Sequence, residues 1–166
     1  MSKSLVDKDP SRGLLRFLFR LPILLYHLGL GWLFGNRFLL LKHTGRKFGL
    51  LRETVLEVIR YDRNARVYMV ASGWGEKSMW YQNILHNPRV EIESGDGKMK
   101  AIAERVSEER AEEELRDYAR RHPFAYRHIK KWVLGEEVNE KTEEYKRLAR
   151  RIPIIEIREE KNDGRN

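Results

Sequence analysis

The sequence predicts an α+β fold that is mainly β. Six antiparallel strands close into a small barrel around one short central helix, with an amphipathic helix ahead of them and further helices behind. Three observations lead there. Strand-like runs follow one another through connections too short for parallel crossovers. A single short helical run interrupts them, and the strand–helix alternation of a doubly wound sheet is absent. The last third of the chain then changes to helical periodicity. Closure suits six such strands because a barrel leaves no unpaired edge.

Residues 1–10 read as a polar tail, and Ser11 can cap a helix that begins near Arg12. Leu14, Leu15, Leu18, Leu21 and Leu25 recur at helical spacing, with Arg12, Arg16 and Arg20 along another face. Pro22 kinks or divides this helix, and Gly29, Gly31 and Gly35 end the region. Strands are expected at residues 37–44, 52–60, 66–72, 89–93 and 98–106. In the second, Leu56 and Val58 share one face and Val55 and Ile59 the other. Turns fall at Asp62-Arg63-Asn64 and Ser94-Gly95-Asp96-Gly97. Ser78 begins a short helix over residues 79–86, which Asn87-Pro88 stops. Ser107 caps a helix whose buried stripe is Ala111, Leu115, Tyr118 and Ala119. Helices at 126–134 and 140–151 follow, and residues 152–158 form the closing strand. The organisation is therefore a tail and helical segment (1–36), a barrel domain (37–158) and a charged tail (159–166).

With 166 residues the chain has room for one sizeable core. It has no cysteine, which excludes disulfides, thiolate catalysis and cysteine-ligated metals. A net charge of +8 favours an anionic partner: a phosphorylated cofactor, a nucleic acid or an anionic membrane surface. The excess lies in the N-terminal half. The basic residues there are interleaved with strands rather than placed along one recognition helix, so no nucleic-acid partner is expected. The five histidines form no metal set, and no nucleophile elbow is present. The apolar run at 21–35 is too short to span a bilayer and is followed by no signal cleavage site. A cytoplasmic protein is expected, with the inner face of the cell membrane as a place of association. The arginine-flanked segment at 12–34 suits an interfacial helix, and it equally suits one that covers the barrel or pairs two chains as a homodimer.

Three groups of residues could carry chemistry. Gly45-Arg46-Lys47-Phe48-Gly49 joins two strands, and with Arg52 it puts three cations within seven residues. Glycines let backbone amides approach an anion, and arginine and lysine hold phosphate; a solvated basic turn is the alternative. Ser72-Gly73-Trp74 and Met79-Trp80-Tyr81-Gln82-Asn83 bring a strand end, a turn and a helix start together. They could hold a planar heterocycle, or Trp80 and Tyr81 could be ordinary core residues. Tyr126, after His122-Pro123-Phe124-Ala125, could orient a substrate or supply a proton, or simply pack.

Taken in order, the segments "LLLKHTGRKFGLLRETVLEV", "VYMVASGWGEKSMWYQNILHNPRVEIE" and "RIPIIEI" resemble the deazaflavin-dependent nitroreductase family, also called the F420H2-dependent quinone reductases. The resemblance runs from about residue 37 to 158. It implies a split β-barrel of the FMN-binding type and coenzyme F420 as cofactor, with FMN as the alternative. By resemblance, Thr44, Gly45, Arg46, Lys47, Gly49 and Arg52 would hold the phosphate and acidic tail. Ser72 and Gly73 would hold the ring, Met79, Trp80, Tyr81 and Asn83 would line the site, and Tyr126 would be the candidate proton donor, with solvent as the alternative. The implied reaction is hydride transfer from the reduced deazaflavin to a quinone-like or nitroaromatic acceptor, with no metal. A non-catalytic carrier of a cofactor or lipid is the reading from another class.

Overall fold

The computed structural model describes residues 23–135 and 141–160. The helix expected from Arg12, the break at Pro22, the helix start at Glu140 and the distal tails lie outside them. Residues 23–27 belong to the first helix, α1. The strands are β1 (Phe38–Thr44), β2 (Leu51–Asp62), β3 (Val67–Ala71), β4 (Arg89–Ser94), β5 (Gly97–Arg105) and β6 (Ile154–Glu159). Helix α2 (Met79–His86) follows β3, and α3 (Glu108–Arg121), α4 (Pro123–Leu134) and α5 (Lys141–Arg151) lie between β5 and β6.

The six strands form a closed barrel in the order β1-β2-β3-β6-β5-β4, with every neighbouring pair antiparallel. Three of the pairings are local hairpins. Asp62 shapes the β2–β3 turn by accepting from the backbone N–H groups of Asn64 and Ala65, both at 3.0 Å. The β4–β5 turn places Gly97 at φ 101°, a conformation that glycine adopts without steric cost. Closure rests on non-local pairings: β1 with β4, and β6 with both β3 and β5.

Alternation along the strands divides the apolar residues between two cores. Leu39, Leu41, Tyr68, Val70, Ile155 and Ile157 point into the barrel, where Trp80, Tyr81 and Ile84 of α2 pack among them. Met69 and Ile154 point outward to a second core against α3, α4 and α5. A register shift between Val58 and Arg60 lets Ile59 join that outer core while Leu56, Val58 and Tyr61 pack with the barrel interior. Glu114 of α3 is buried between the layers and pairs with Arg60 at 2.8 Å and Arg110 at 3.1 Å.

Some boundaries differ from the sequence reading. Helix α4 begins at Pro123 rather than Tyr126, because the fixed φ of proline suits a first turn that has no amide bond to lose. Strand β3 is shorter than 66–72, since Arg66 adopts a positive φ of 52° and Ser72 enters a turn. Ile152 still donates its N–H to Leu148 at 2.7 Å as the end of α5, so β6 starts two residues later than expected. Among the described residues no helix is long and apolar enough to cross a membrane.

Candidate functional site

The β1–β2 connection is a tight loop at one end of the barrel. The Gly45 N–H donates to Leu50 at 2.7 Å, and the Gly49 N–H donates back to Gly45 at 2.8 Å. Gly49 sits at φ 66°, which a side chain would strain. A Cβ on Gly45 would stand 3.1 Å from the Leu50 carbonyl oxygen, so this position also favours glycine. Thr44 ends β1 directly ahead of the loop.

Arg46 ties the loop to α2. Its backbone N–H donates to Asn83 Oδ1 at 3.1 Å, and its guanidinium donates to the same oxygen at 3.2 Å. The guanidinium also reaches Met79 Sδ at 3.9 Å. Lys47 and Arg52 are exposed, and among the described residues neither meets a carboxylate. Phe48, Leu50 and Leu51 are exposed at the same tip.

Behind Asn83 lies a residue that the sequence reading did not single out. His43 is 4% exposed, and its Nδ1 is 3.1 Å from the Asn83 side-chain nitrogen. Burial, with the charge of Arg52 across the strand, pushes this imidazole down to about 4, so it is neutral at pH 7. Arg46 offers only donors, so the Asn83 atom facing it is the oxygen and the atom facing His43 is the NH2. His43 Nδ1 is therefore the acceptor, and Nε2 carries the proton. A signal was present in the sequence: His43 has the inward parity of Leu39 and Leu41.

The second group arrives at the same end. Ser72 is fully buried, and its Oγ lies 2.7 Å from the Gly75 carbonyl and 2.8 Å from Ser78 Oγ. The hydroxyl is spent on closing its own loop rather than turned toward a ligand. Ser78 precedes α2 but makes no side-chain cap bond. Gly73 lies beside Trp132, 3.8 Å from the place a Cβ would take, and Trp74 meets Trp132 edge to face at 5.1 Å between ring centroids. Met79 is exposed beside Arg46, whereas Trp80 and Tyr81 are buried in the barrel core. The Tyr81 hydroxyl is 3.0 Å from Arg105, which also pairs with Glu76 at 2.6 Å. This ion pair pins the 3-10 turn Gly75–Lys77, and neither partner was singled out from sequence.

Residues 28–136 match the family described as F420H(2)-dependent quinone reductase. The chain belongs to that family. It is an F420-dependent oxidoreductase accordingly. The matched span covers β1 through α4, and so includes the loop, α2 and the Ser72 turn.

Solved structures agree in fold. One described as an F420-H2 dependent reductase aligns with a TM-score of 0.51 at 19% identity, over 74% of this chain and 95% of its own. Another, described as a domain-swapped dimer, aligns with a TM-score of 0.51 at 20% identity, over 74% and 81%. An Agrobacterium tumefaciens protein of unknown function aligns with a TM-score of 0.53 at 12% identity, over 93% and 60%. At these identities the likeness is one of fold alone.

Within this F420-dependent reductase, Tyr126 stands apart from the loop. It is buried in the helical layer, where its hydroxyl donates to Glu144 at 2.6 Å and its ring stacks on Tyr145. Lys130 holds the other Glu144 oxygen at 2.5 Å. Burial and the carboxylate raise the phenol far above its ordinary range, which makes proton release from it unfavourable. The structure thus brings Arg46, Met79 and Asn83 into contact, with Lys47 and Arg52 exposed beside them. It turns Ser72, Trp80 and Tyr81 inward and places Tyr126 against Glu144.

Proposed function

We propose that the tip of the β1–β2 loop is where this chain holds the phosphate and acidic tail of coenzyme F420, and that a quinone-like molecule accepts the hydride. The observation that carries the reading is the pair of exposed cations, Lys47 and Arg52, which meet no carboxylate among the described residues and lie beside an anchored Arg46. Exposed charges of one sign held close together repel each other in water, and an anion relieves that repulsion. The residues fit an anionic group on this side. On the ring side, Met79 and the partly exposed Gly73 and Trp74 offer a surface.

In this reading Arg46 has two tasks. It sets the loop against α2 through Asn83 and leaves part of its guanidinium for a phosphate oxygen. Lys47 and Arg52 bind the anionic tail, Thr44 and the glycines bring the backbone close, and Met79 gives an apolar edge to the ring. When bound, the reduced deazaflavin supplies the hydride. The protein contributes orientation and exclusion of water at the acceptor. With Tyr126 turned to Glu144, solvent is the simplest source of the proton.

The apolar residues support approach to a lipid surface, where a quinone would be met. Leu24, Leu28 and Leu33 are exposed on the N-terminal segment, and Phe48, Leu50 and Leu51 on the loop. A protein at the cytoplasmic face of the membrane, alone or as a homodimer, fits that pattern. Sedimentation with anionic liposomes tests it, and failure to sediment would leave the reductase free of the membrane.

Fluorescence titration with F420 and FMN, followed by stopped-flow oxidation of the reduced cofactor with menadione, tests the main reading. Tight F420 binding with turnover is expected. Tighter binding of FMN would overturn the cofactor assignment, and F420 binding without turnover across several acceptors would favour a carrier.

A further inference from the structure

The contact between His43 and Asn83 is buried behind the proposed anion surface, on the side of Asn83 away from Arg46. Its importance comes from the symmetry of an amide. The oxygen and nitrogen of an asparagine side chain are nearly the same size, so packing alone does not choose between two orientations related by a half turn. Hydrogen bonding chooses. In one orientation the oxygen accepts from the Arg46 N–H at 3.1 Å and from its guanidinium at 3.2 Å. In the other, the NH2 would face those two donors and both bonds would be lost.

We propose that His43 is a positioning residue for the anion-binding loop. Its unprotonated Nδ1 accepts from Asn83 and so stabilises the amide orientation that holds Arg46. His43 is buried at the inward parity of β1, Asn83 is buried on α2, and their contact is 3.1 Å. The chain His43–Asn83–Arg46 thus links the barrel interior to residues 45–50 through three side chains on two elements and a loop. A loop set before the ligand arrives loses less freedom on binding, so this chain contributes affinity without touching the cofactor. The inference rests on the loop being the F420 site, but the positioning itself has a reading that needs no cofactor.

Three variants separate the roles. His43→Asn keeps an acceptor close to the place of Nδ1, and His43→Leu keeps bulk without one. In Asn83→Asp, a carboxylate accepts from Arg46 and also from the imidazole, so His43 must move its proton to Nδ1.

Imidazole 15N shifts of the cofactor-free wild type should show Nδ1 unprotonated and Nε2 protonated, and Asn83→Asp should reverse them. Hydrogen exchange at the Arg46 amide should be slow in the wild type and in His43→Asn, and at least about ten-fold faster in His43→Leu. F420 affinity should fall about ten-fold in His43→Leu and stay within about three-fold in His43→Asn, with turnover at saturating cofactor unchanged in both. A protonated Nδ1 in the wild type, or equal exchange and equal affinity in the Leu and Asn variants, would overturn the proposal. If the wild type binds no F420 while the Arg46 amide still responds to His43→Leu, the site assignment fails and the positioning role stands.

Discussion

Lowering the pH should destabilise the native chain through His43, by an amount that follows from its surroundings. Burial first and the Arg52 charge second push the imidazole down to about 4. In the unfolded chain a histidine takes its proton near pH ~6.5. Between those two values the unfolded state binds more protons, so stability is complete above the window and falls as pH drops through it. A separation of roughly 2.5 in pKa sets a ceiling of about 3 kcal/mol, of which about 2 kcal/mol is lost between pH 7 and pH 5. Urea unfolding of the wild type and His43→Asn over that range isolates the effect. The other histidines and the carboxylates cancel in the difference, including Glu114, whose pKa is raised by desolvation and whose contribution has the opposite sign. The wild type should lose about 2 kcal/mol relative to the variant on going to pH 5. Parallel stability curves would show that His43 is protonated freely in the native barrel and that its burial does not set its charge.

Three further outcomes follow from the same geometry. Lys47→Ala and Arg52→Ala should each weaken F420 binding about five- to ten-fold at low salt, with smaller losses at high salt and unchanged melting temperatures, because both side chains are exposed. Tyr126→Phe should cost about 1–2 kcal/mol in denaturant unfolding, since it removes the hydrogen bond to buried Glu144, and should leave kcat unaltered; a large fall in kcat at unchanged stability would restore Tyr126 as a proton donor. Glu114→Ala should destabilise the fold by about 2–3 kcal/mol in the same assay, at the low end for a broken buried pair because Arg60 and Arg110 can both reach solvent.

The features legible in the sequence were those decided by local chemistry. Helix α2 ends where Asn87-Pro88 requires, the Ser107 side chain accepts from the Arg110 N–H at 3.2 Å, and the Asp62 and Gly95-Asp96 turns form where their residue types place them. Six antiparallel strands could be counted for the same reason. Strand order was less accessible, because the pairing of β1 with β4 joins residues far apart in the chain, such as Leu40 and Glu93, and no turn encodes it. The anion loop was visible as composition. That Arg46 would spend its amide and part of its guanidinium on Asn83 was not, since the contact spans 37 positions in the chain. Ser72 and Tyr126 show the same limit from the other side. A hydroxyl near a turn or a proline looks available in sequence, and only the fold reveals the Gly75 carbonyl and the Glu144 carboxylate that occupy them.

We propose that exposed cations on the β1–β2 loop recognise the anionic part of F420. Comparing the Kd of F420 with that of the same deazaflavin stripped of its phosphate and acidic tail, in the wild type and in Lys47→Ala/Arg52→Ala, addresses it most directly. The wild type should prefer intact F420 by about a hundred-fold, and the double variant should lose most of that preference while binding the stripped ring as before. An undiminished preference in the double variant would contradict the account and place the anion elsewhere on the barrel.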